Sequence, residues 1–139
     1  MNSAAQSYID TLSVHNIKTK DVYDTNDGQT VVRCGWSLSN TSIDILVVFP
    51  QDGKYASLRC FNFAKAPKDR LGQALIACNE LNRKYKWVKF YVDGDGDVTA
   101  EDDAIIDAAT CGDECFELML RMTKIVDDSY PVIMKAIYG

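Results

Sequence analysis

The sequence predicts an α+β fold: a mostly antiparallel sheet of five or six strands packed with helices, in the order α-β-β-β(-β)-α-β-β-α. Three observations predict it. Apolar residues recur at helical spacing near both ends and after Pro67, but alternate with period two elsewhere. The alternating runs are separated by short segments rich in Asn, Asp, Ser and Gly, as hairpins are. No repeat, linker or low-complexity stretch divides the 139 residues, so a single domain over residues 1–139 is expected.

Ser3-Ala4-Ala5-Gln6 has the form of a capping box, which would start the first helix. Ala5, Tyr8, Ile9 and Leu12 follow at helical spacing, and the helix should end near His15-Asn16, since asparagine tolerates a left-handed backbone. From Lys18 the period is two. Asp24 to Gly28 is turn chemistry. Val32, Cys34, Trp36 and Leu38 then share one face of a half-buried strand, with Val31, Arg33 and Ser37 on the other. After Ser39-Asn40-Thr41, Ile43, Ile45, Val47 and Phe49 make a second apolar row backed by Leu46 and Val48, the pattern of a central strand. Pro50 to Gly53 turns the chain into another strand, Tyr55 to Phe63.

Pro67 suits the first turn of a helix, where its missing N–H costs nothing. Leu71, Ala74, Leu75, Cys78, Leu81 and Tyr85 give that helix its apolar stripe. Two strands follow, Trp87–Val92 and Val98 to about Ile106, joined by the turn Asp93–Asp97. Thr110 and Asp113 resemble a second capping box. The helix behind it carries Phe116, Met119, Leu120, Thr123 and Val126, widened by Leu118, Met122 and Ile125 beyond what one packing surface needs. Tyr130-Pro131 should interrupt it, because proline disfavours helical backbone in its predecessor, leaving a short turn Val132 to Ile137.

Composition narrows the function classes. A formal charge of -5 argues against nonspecific binding to nucleic acid or to an anionic membrane. No apolar run approaches the ~18 residues of a spanning helix, and MNSAAQSYID has neither the basic start nor the apolar core of a secretory signal; the expected location is cytoplasmic. Five cysteines, an odd number with no disulfide-framework spacing, read as reduced thiols.

Three clusters invite a functional reading. Asp93, Asp95 and Asp97 imitate the start of a calcium loop, but position 6 is Val98 where glycine is needed and position 12 is Ala104 where glutamate is needed. A hairpin turn explains them, with weak divalent-ion binding by Asp93, Asp95, Asp97 and Glu101 as the alternative. Arg83, Lys84, Lys86 and Lys89 interleave with Tyr85, Trp87, Phe90 and Tyr91, a pattern that can serve nucleic acid, but seven carboxylates follow between 93 and 107. Cross-strand pairing of opposite charges is the simpler account. Cys111 and Cys115, one turn apart at a helix start, could form a redox pair or half a zinc site. A zinc site needs four ligands, and the single histidine, His15, is remote, so packing is the plainer role. No catalytic motif is present.

The element order, Asn79-Glu80-Leu81-Asn82, Trp87-Val88-Lys89-Phe90, the acidic hairpin after Val92 and the helix closing on Asp127 to Pro131 together resemble the YbjN-like family, bacterial sensory transduction regulator-like proteins. The resemblance is clear over about residues 67 to 135. It implies a fold similar to type III secretion chaperones, which commonly dimerise, and it carries over no catalytic residue.

The expected function is a noncatalytic cytoplasmic protein-binding module, chaperone-like or regulatory, acting as a homodimer with an unknown protein partner and no cofactor. A small-ligand or divalent-ion binding domain is the alternative, and an enzyme the less favoured one. The candidate interface residues are Trp87, Lys89 and Tyr91, which alternate with the apolar row, and Met119 and Met122, whose flexible side chains suit an adaptable contact.

Overall fold

The computed structural model describes all 139 residues. Three helices, α1 (Ser3–Val14), α2 (Leu71–Lys84) and α3 (Cys111–Tyr138), pack on a six-stranded antiparallel sheet. The strands are β1 (Asp21–Asp24), β2 (Thr30–Ser37), β3 (Ser42–Phe49), β4 (Tyr55–Lys65), β5 (Lys89–Val92) and β6 (Asp97–Ile105), in spatial order β1-β2-β3-β4-β6-β5. The α+β expectation and its element order hold. The first four strands are successive hairpins. A 3-10 turn (Lys68–Arg70) and α2 then carry the chain to the far edge, where β5 forms, and β6 returns between β5 and β4.

Register decides the two faces. Val32, Val47, Leu58 and Asp102 align in one row, and Cys34 and Ile45 in the next, as do Cys60, Ala100 and Phe90. These rows face the helices and join a core cluster of 29 buried residues. The alternate row of Arg33, Leu46, Arg59, Glu101 and Lys89 points to the uncovered face. Ion pairs run across it, Arg59 to Asp103 at 2.9 Å and Lys20 to Asp44 at 2.9 Å. Exposed pairs of this kind contribute at most about 1 kcal/mol each.

Several local expectations are corrected. The first helix is capped one residue earlier than the Ser3 capping box: Asn2 Oδ1 accepts from the Ala5 N–H at 2.8 Å, and Asn2 Nδ2 donates to Pro50 O at 2.7 Å. Thr110 caps no amide; its hydroxyl bonds the Glu114 carboxylate. The α2 stripe is Ala74, Ala77, Cys78 and Leu81, so Leu75 is exposed. Trp36 is half-buried, because β3 pairs with β4 only from Leu46 to Val48 and the strands part beside it.

The last helix is not interrupted at Tyr130-Pro131 but continues to Tyr138 with Pro131 inside it. Proline cannot donate to the carbonyl four residues back, Asp127 O. Asn40, in the β2–β3 turn, takes over that duty: its Nδ2 donates to Asp127 O at 3.0 Å, and its own N–H donates to Asp127 Oδ1 at 2.8 Å. A long-range contact thus supplies the hydrogen bond that local sequence removes.

Most of the broad apolar face of α3 is consumed inside the molecule, since α3 packs against both α1 and α2. Gly112 permits the close approach to α1: a Cβ there would sit 2.4 Å from Thr11 Oγ1. Met119 and Met122 are fully buried, and Tyr8 Oη donates to Met119 Sδ at 2.9 Å. Both methionines are therefore core and not the contact surface expected of them, because a helix covered on two flanks needs a wider stripe than one lying on a surface.

Candidate functional site between the sheet edge and the last helix

The end of α2 and the start of β5 are stitched together. Lys89 Nζ donates to Asn82 O at 3.0 Å and Tyr85 O at 2.9 Å, satisfying carbonyls at the helix end. Asn82 brackets Phe90, accepting from its N–H at 2.7 Å and donating to its carbonyl at 3.0 Å. Val88 and Phe90 are anchored in the core. Between these fixed points Trp87 takes φ 72°, and Val88 N donates to Lys86 O at 2.8 Å across it. This three-residue turn delays β5 to Lys89. A left-handed backbone costs a side-chain-bearing residue on the order of 1–2 kcal/mol. The reward is not burial, since Trp87 remains 55% exposed.

Trp87 forms one wall of a groove of about 740 Å³ between the sheet edge and the N-terminal half of α3. Ile105 and Leu118 supply the other apolar walls. Asp103, Asp113, Glu114 and Glu117 stand around it, with Arg121 as its single cation, and Arg121 is already bound to Glu117 at 3.0 Å. Asp102 is the one lining residue that is buried, at 7% exposure. It shares the core-facing row with Leu58, and its Oδ2 has no hydrogen-bond partner. Burial is the main cause that pushes its carboxyl up to about 6; the neighbouring Asp103 charge adds to this, while the Asp103 backbone hydrogen bond, Arg59 and Lys89 pull it back.

Of the five interface candidates, only Trp87 lines this groove. Lys89 is committed to the α2 carbonyls. Tyr91 is exposed opposite Thr99 on the uncovered sheet face, so it and Trp87 do not form the shared row expected of a strand. Asp102 was readable only as a carboxylate in an acidic segment. The available signal was its alternation with Val98, Ala100 and Ala104, which places a carboxylate in an apolar row.

The ion candidates separate. Asp93, Asp95 and Asp97 bring ligand atoms within 4.8 Å of one another. Asp93 Oδ1, however, accepts the N–H groups of Asp95 and Asp97 at 2.9 and 3.0 Å, as a turn requires. Gly96 closes that turn at φ 88°, where a Cβ would lie 2.2 Å from Ala66 O. Glu101 is not part of the cluster; it pairs with Arg59 at 3.5 Å. All five cysteines are free and buried. Burial pushes the Cys115 thiol up to about 12, and the Cys111 thiol donates to Ala4 O at 3.5 Å. His15 stacks on Phe116 with ring centres 4.2 Å apart. Arg83 pairs with Glu80, and Lys84 lies over the Tyr85 ring at 5.1 Å.

No helix of the chain is long and apolar enough to cross a membrane. No curated protein matches the chain in sequence. A family model described as "YbjN: Putative bacterial sensory transduction regulator" matches residues 12–131, a range that takes in all six strands and the groove. It extends well before Pro67, where the resemblance rested on strand order. The family is described by a regulatory role and not by a reaction. The chain therefore belongs to the YbjN family.

Proposed function

We propose that the chain is a noncatalytic regulatory module, cytoplasmic and chaperone-like, that works by holding a segment of a partner protein in the Trp87 groove. The observation that carries this reading is Trp87 itself. Its strained backbone holds a large aromatic ring half exposed over apolar walls, where it contributes little to the core. Tryptophan is among the residue types enriched in the few contacts that dominate binding energies at protein interfaces. The homodimer belongs to the same reading, and the uncovered sheet face is its candidate contact.

Affinity capture with the full chain tests it, comparing wild type with Trp87→Asp and with Tyr91→Asp. The expected result is a partner retained by wild type and Tyr91→Asp and lost from a folded Trp87→Asp. A partner held equally by all three, or none held by wild type, overturns the groove as the binding surface. Sedimentation equilibrium decides the dimer separately.

A further inference from the structure

Building on the partner-binding reading, we infer that the groove receives an arginine side chain of an amphipathic partner segment, with Asp102 as its counter-ion. Five carboxylates line the groove against Arg121, whose guanidinium is occupied by Glu117. Asp113 and Glu114 have a local reason to be there, because they sit in the first turn of α3 and complement its dipole. Asp102 has none. It lies on β6, facing the core, and no cation stands within ion-pair distance of it. Arg59 is close, but it donates to the Asp102 backbone carbonyl at 3.0 Å and spends its charge on Asp103 and Glu101.

A buried carboxylate without a partner is costly, and a cation delivered by a ligand removes that cost. Arginine suits the site because its planar fork pairs with a carboxylate while its face stacks on an indole, and Trp87 and Asp102 line the same groove. The apolar walls Ile105 and Leu118 call for apolar residues beside that arginine.

The pairing is linked to protons. Below about pH 6 Asp102 holds its proton, and binding a guanidinium must release it. The charged groups that surround Asp102 are Glu101 and Asp103 on β6, Arg59 on β4, Lys89 on β5, and Asp113, Glu114, Glu117 and Arg121 on α3. Of these carboxylates only Asp102 is buried with an unpartnered oxygen, so a midpoint near 6 is assigned to it.

The probe is a blocked heptapeptide with a central arginine between leucines, and its neutral twin with citrulline in that place. NMR titration of the full chain follows the Trp87 indole and the Asp102 carboxyl carbon. The arginine peptide should bind roughly tenfold more tightly than the citrulline peptide at about pH 7.5, and most of that advantage should vanish at about pH 5 and in Asp102→Asn. Equal binding of the two peptides, abolished by Trp87→Asp, overturns the counter-ion inference while leaving the partner-binding groove intact. An undiminished arginine advantage in a folded Asp102→Asn also overturns it. Failure of both peptides to bind at about 5 mM overturns it too, and the capture experiment then judges the groove by itself.

Discussion

Two regions break the same rule and end differently. At Pro131 the helix loses a backbone donor, and Asn40 arrives from a distant turn to bond the orphaned Asp127 carbonyl. At Asp102 a carboxylate is carried into the core-facing row, and nothing arrives; one oxygen stays unpartnered beside an exposed tryptophan in a strained turn. The first departure is repaired within the chain and so serves stability. The second is left unrepaired in a residue that lines a groove, which is the pattern expected where function tolerates a local cost.

Variants can break or sharpen this contrast. The ordinary core sets the scale. Met119→Ala should destabilise by about 3 kcal/mol in chemical denaturation, and a loss under about 1 kcal/mol would mean that the broad face of α3 is not core. Asp102→Asn should do the opposite near neutral pH. Its carboxyl moves from 3.8 to about 6 on folding, so the folded chain holds the proton more tightly than the unfolded one. That contribution is fully present below about pH 4, is lost as pH rises through about 6, and is flat above. The variant should therefore gain about 2 kcal/mol over wild type at neutral pH and nothing at about pH 3.5. A variant less stable at neutral pH would show that the carboxylate is already satisfied.

Asn40→Ala should cost about 1.5 kcal/mol by leaving Asp127 O unmet. The loss should shrink by about half in a Pro131→Ala background, where a helical N–H returns. An unchanged loss would mean that Asn40 acts through the β2–β3 turn alone. The smallest effect is Trp87→Gly, which relieves the left-handed backbone and should change stability by no more than about 1 kcal/mol in either direction. A loss of about 3 kcal/mol or more would make Trp87 a packing residue and remove the reason to seek a partner there.

Much of the fold was legible because its signals are local. Period-two alternation placed β2, β3, β4 and β6, and Asn16 and Gly28 took the positive φ expected of them. Inference failed where a residue's neighbour comes from elsewhere in the chain. Pro131 read as a break because its remedy lies 91 residues away, at Asn40. Met119 and Met122 read as surplus surface because only the packed structure shows α1 and α2 on both flanks of α3. Trp87 and Tyr91 read as one row because alternation presumes a strand that begins only at Lys89.

The candidate site divides the same way. The sequence by itself determined most of the elements, the turns and the acidic balance, since periodicity, turn chemistry and charge are properties of adjacent residues. Tertiary structure decided that Asp102 is buried, that it shares a groove with Trp87, Ile105 and Leu118, and that Glu101 belongs to Arg59 and not to the Asp93 turn. Each of these depends on strand register and on where α3 crosses the sheet edge, and long-range packing sets both.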